Sequence, residues 1–142
     1  MFLFYFLMGL TVVSNAAYHI VQKLTPGTAN PPLSLAVTYA TATLVCLALL
    51  PFFPIQAGLA ASLRGLNWTS FALAFAIAGL ELGFLLAYRA GWNISRGAIV
   101  SNVAVAILLV PMGLLLFKEQ LSAARVIGIV LCVAGLALIN QR

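Results

Sequence analysis

The sequence predicts an all-α integral membrane protein of five transmembrane helices. Two observations predict it. Of 142 residues 64% are hydrophobic and only 6% charged, where a soluble domain carries about a quarter charged residues to face water. The apolar residues also fall into five runs of the length that crosses a bilayer. A helix rises about 1.5 Å per residue and the hydrocarbon core is about 30 Å thick, so a span needs about 20 residues. Closed β-barrels, the other way to satisfy a backbone in lipid, would show alternation in segments of about ten residues, and nothing in the sequence alternates that way.

The helices are expected at about residues 2–22, 33–53, 67–90, 95–117 and 122–139, within a single five-helix domain 1–142. The first run lacks the basic start of a secretory signal and continues apolar through Val21, so it reads as a retained helix. Thr25-Pro26-Gly27 and Asn30-Pro31-Pro32 break the chain after it, and Pro51 and Pro54 end the second helix. A polar connector at 56–66 leads to the third, Gly91-Trp92-Asn93 turns into the fourth, and Lys118-Glu119-Gln120 turns into the fifth. The connectors leave no room for a second, soluble domain.

The net charge of +5 comes from seven scattered Lys and Arg residues near the ends of apolar runs. That spacing fits membrane anchoring and not a nucleic-acid stripe. Cys46 and Cys132 lie inside apolar runs without metal-ligand spacing, which predicts buried, unpaired thiols. No His-Glu-x-x-His, no pair of acids within one cavity and no phosphate-cradling glycine loop occurs. The sequence therefore points away from an enzyme, and no cofactor or metal is expected.

The third run carries a carboxylate, Glu81. A charge deep in a span costs about 2.5 to 3.5 kcal/mol on insertion scales, so it comes with a partner or a task. One reading is a protonated or hydrogen-bonded carboxyl that fixes helix packing. The other is a proton or cation site, because desolvation disfavours the charged form of a buried carboxyl. Gly79, Gly83, Ala87 and Gly91 recur every four residues and form a smooth ridge for close helix approach. Glu81 points off that ridge, on a face shared with Leu85 and Tyr88.

The first run has a polar stripe of Thr11, Asn15, Tyr18 and Gln22, with Ser14 and His19 beside it. Such a stripe should face protein or water. His19 has no neighbouring Cys or acid and reads as an interior hydrogen-bonding group, with Glu81 as a candidate partner. In the fourth run Asn102 can donate and accept, as a substrate contact or as interhelical glue. Pro111 either bends that span or frees a carbonyl. Gly128 and Gly135 mark a contact face on the fifth.

The stretch from Leu114 to Ile139, with Glu119 after the fourth helix, Arg125 in the turn and Gly128 and Gly135 seven apart, resembles the close of an EamA repeat in the drug/metabolite transporter superfamily. Tyr88 and Pro111 stand where that repeat tends to have an aromatic and a proline. The resemblance covers the whole chain at the length of one repeat. It implies a small-solute transporter that needs two repeats for one path, hence a homodimer or a paired homologous subunit in the cell (inner) membrane. It also departs from the four-helix small multidrug resistance branch, whose acid lies in the first helix, because the first helix here has none.

The expected function is a secondary transporter of a small metabolite or drug-like solute, working by alternating access in a dimer, with Glu81 as coupling group. Asn15, Tyr18, His19, Tyr88 and Asn102 are the candidate lining residues. The alternative is a non-transporting membrane subunit that packs against or regulates a larger complex.

Five spans put the termini on opposite sides. Arg64, Lys118 and Arg125 then fall on the N-terminal side and Lys23, Arg89, Arg96 and Arg142 on the other. Because Lys and Arg bias in short loops sets orientation, three against four leaves either a single orientation set by one or two residues or copies inserted both ways and paired antiparallel. Adding two or three Lys residues to one loop tests the second: mapping of both termini should show a single orientation, and the altered protein alone should lose activity.

Overall fold

A computed structural model describes residues 2–56, 58–118 and 122–140. Six α-helices and one 3-10 turn make up the regular structure of these residues: α1 Phe2–Leu24, α2 Pro31–Leu49 continued by a 3-10 turn at Leu50–Phe52, α3 Leu59–Arg64, α4 Trp68–Arg89, α5 Ile94–Phe117 and α6 Ala123–Asn140. Four of them, α1, α2 with its 3-10 turn, α4 and α5, are long and apolar enough to cross a membrane. The fifth expected span is a helix of 18 residues, α6. Glu119 and Gln120, in the expected turn before it, lie outside the described residues.

The helix ends follow from local chemistry. Asn30 caps α2 by accepting from the Leu33 N–H at 3.1 Å, with Pro31 and Pro32 in the first turn, where a missing N–H removes no helical bond. That is why α2 begins two residues earlier than the apolar run suggests. Asn67 caps α4 through the Thr69 N–H at 2.9 Å. At the other end of α4 Gly91 takes φ 99°, a left-handed conformation that ends the helix without Cβ strain. The connector expected to be polar coil contains α3, a helix of six residues set between Gly58 and Gly65. α5 runs unbroken through Pro111.

Hydroxyls in the apolar helices bond back to their own backbone. Thr38, Thr41 and Thr43 on α2 donate to the carbonyls of Ser34, Val37 and Tyr39 at 3.1, 2.9 and 2.8 Å, which lets these three hydroxyls enter lipid already paired.

The chain divides into two compact units, residues 1–20 with 91–142 and residues 21–90. In the first, α5 packs on α6, and Gly97 of α5 and His19 of α1 are buried. In the second, α2 packs on α4, with Leu35, Leu85 and Tyr88 buried. Most other large apolar side chains are exposed, among them Phe4, Leu73, Phe75 and Leu115. An apolar surface of this extent calls for lipid or another protein as its solvent. Cys46 and Cys132 are free but exposed, not buried.

Among the described residues Leu85 is the most enclosed side chain, at 1% exposure. Leu85→Ala should therefore destabilise the protein by about 2 to 5 kcal/mol, whereas Leu73→Ala on an exposed face should change stability little. Thermal unfolding of both variants in one lipid composition checks the contrast.

Candidate functional site

The α2–α4 pair builds the site. Leu35 lies one turn before Tyr39 on α2, and Leu85 one turn after Glu81 on α4. Where α2 packs on α4, both of these leucines are buried, each one turn along its own helix from Tyr39 or Glu81. Glu81 is half-buried. It stands about 20 Å along α4 from Trp68 and about 12 Å from Arg89 at 1.5 Å per residue, inside the span by either measure.

Tyr39 was not among the residues the sequence singled out. Its hydroxyl is buried and makes no well-formed hydrogen bond, yet it is close enough to Glu81 for the carboxylate charge to act on it. A phenol O–H and a carboxylate are a natural donor and acceptor.

Three side-chain bonds to backbone carbonyls tie α4 to the last turn of α1 and to the loop that follows it. Gln22 Nε2 donates to the carbonyl of Glu81 itself at 2.7 Å. Lys23 Nζ donates to the Tyr88 carbonyl at 3.0 Å and lies 5.7 Å from the centre of the Tyr88 ring. Arg89 Nη2 donates back to the Pro26 carbonyl at 2.9 Å. The last four carbonyls of a helix lack helical partners, and the helix dipole places negative charge there. Lys23 and Arg89 thus anchor the end of α4 and complement its dipole. Tyr88 also stacks on Phe84 with centroids 5.8 Å apart. Its part in the structure is to hold the end of α4, through carbonyl and ring together.

The remaining candidates belong to the other unit. His19 is buried and packs edge-on against Tyr18 at 5.2 Å. Tyr18 is half-buried, and Asn15 and Asn102 are exposed on α1 and α5. Among the described residues no three His, Cys, Asp or Glu side chains gather as a metal site would require. A Cβ built at Gly79, Gly83, Gly128 or Gly135 would meet nothing within 4 Å among the described residues.

If Tyr39 and Glu81 act on each other, their substitutions will not be additive. A double-mutant cycle of Tyr39→Phe and Glu81→Gln should give a coupling of about 0.5 kcal/mol or more in unfolding free energy; additive effects would separate the two residues.

Comparison with known proteins returns one finding. The model of the EamA-like transporter family matches residues 2–141. No curated protein and no solved structure matches the chain.

Proposed function

The chain belongs to the EamA-like transporter family, and from that premise we propose that it is one subunit of a secondary transporter for a small metabolite or drug-like solute. The observation that carries this reading is Glu81, a carboxylate inside the α4 span, with its backbone carbonyl held by Gln22 and the Tyr39 hydroxyl beside it. A merely structural carboxyl does its work once, when the helices pack. A coupling carboxyl must gain and lose a proton or cation, and for that it needs a neighbour able to stabilise either state.

The translocation path in this reading is shared by two copies. One repeat offers half of the inverted symmetry that transporters use for alternating access. The near balance of bases on the two sides supports insertion in both orientations. The open glycine faces at Gly79 and Gly83 and at Gly128 and Gly135 support close helix contact between copies. The polar residues Asn15, Tyr18, His19 and Asn102 of the first unit are the candidates that would meet the solute there, and the path runs through the cell membrane. No step of bond-making chemistry is assigned, and the protein acts without a cofactor.

Glu81→Gln keeps the shape of the side chain and removes its charge. In proteoliposomes, screened against metabolites and drug-like solutes with and without a pH gradient, this variant should lose gradient-driven uptake while still assembling in the membrane. Uptake that keeps its pH dependence in Glu81→Gln would remove Glu81 from the coupling step.

A further inference from the structure

A groove of about 680 Å³ runs between α2 and α4 away from the Glu81 layer. Tyr39, Cys46 and Leu50 wall it on one side and Ala74, Phe75 and Ala78 on the other. From Tyr39 to Leu50 it extends about 16 Å along α2 at 1.5 Å per residue. Its wall is apolar almost throughout. The hydroxyl of Thr43, which also lines it, is committed to the Tyr39 carbonyl. Tyr39 closes one end of the lining, and Glu81 follows just past it, one helical turn beyond Ala78 on the face of α4 that carries Ala74 and Ala78.

We infer that this groove binds an amphiphilic amine, with its ammonium group at Glu81 and Tyr39 and its alkyl body laid toward Leu50 and Phe75. The inference rests on the transporter reading for its meaning and names the substrate class. Charge decides between occupants. A neutral lipid chain would fill the apolar length and leave the carboxylate unpaired, and an anionic amphiphile would set like charges together. An ammonium group neutralises Glu81 and supplies N–H donors to the carboxylate and to the Tyr39 oxygen. The chain carries +5 overall and has only one other acid, Glu119, so the acid end of this groove is a local exception in a basic protein, suited to a cation.

The test uses the whole protein in lipid nanodiscs and a dodecylamine with a photoreactive diazirine at its tail. After illumination, peptide mass spectrometry of the wild type should place the adducts on α2 and α4 near Leu50 and Phe75. Excess dodecylamine should reduce them about tenfold, the factor for a competitor at roughly ten times its dissociation constant, and equal dodecanol or dodecanoate should not. Glu81→Gln and the groove-filling Ala78→Phe should each lose most of the labelling. Equal competition by dodecanol, adducts spread outside α2 and α4, or full labelling of Glu81→Gln would overturn the inference. The wild-type competition stands whether or not the variants fold. Solute uptake by the same preparation separates the two proposals: uptake of other solutes without amine labelling removes this substrate class alone, and specific labelling without any uptake removes the transporter reading and leaves the binding site.

Discussion

The cost of keeping a carboxylate inside an apolar helix is the constraint that the α2–α4 unit is built to meet. Glu81 would be expensive on a lone span in lipid. The packing of α2 on α4 brings the Tyr39 phenol beside it, and Leu35 and Leu85 are buried one turn away along the two helices. The arrangement reduces the cost without cancelling it. A phenol beside a carboxylate offers it one donor and leaves its remaining lone pairs for other partners.

The position of that group depends on the end of α4. Gln22 holds the Glu81 carbonyl, and two turns further along Lys23 and Arg89 join the Tyr88 and Pro26 carbonyls into one latch between α1 and α4. Basic residues at the ends of spans are ordinarily read as anchors to the lipid interface. Here the same charges also bond to backbone, so membrane depth and the placement of Glu81 are set by the same side chains. A change at Lys23 or Arg89 is therefore a change in the site as well as in anchoring.

Much of the helical order was legible because lipid imposes it: runs of about 20 apolar residues between Pro, Gly and Asn have few other structures open to them. The caps at Asn30 and Asn67 moved the boundaries by one or two residues. The helix α3 escaped notice because six residues between two glycines carry no span-length signal. Glu81 was legible as the one acid in a span. Tyr39 was not, since α2 is apolar on all sides apart from self-satisfied threonines and a single sequence gives no register between α2 and α4. Gln22 was visible in the polar stripe of α1 but not as a partner of Glu81, for the same reason. The exposed thiols show the limit of equating apolar with buried: in lipid an apolar run has no obligatory inside.

The central claim is that the Glu81 carboxyl, set inside the α4 span, is the group through which transport is proposed to be governed. A hydrophobic carbodiimide, which reacts with protonated carboxyls in apolar surroundings, tests it most directly in native membranes. The account predicts modification at Glu81, slower as pH rises and as transported solute is added, with activity falling in step with the modified fraction. A Glu81 that stays unmodified, or that is modified while transport continues undiminished, would contradict it.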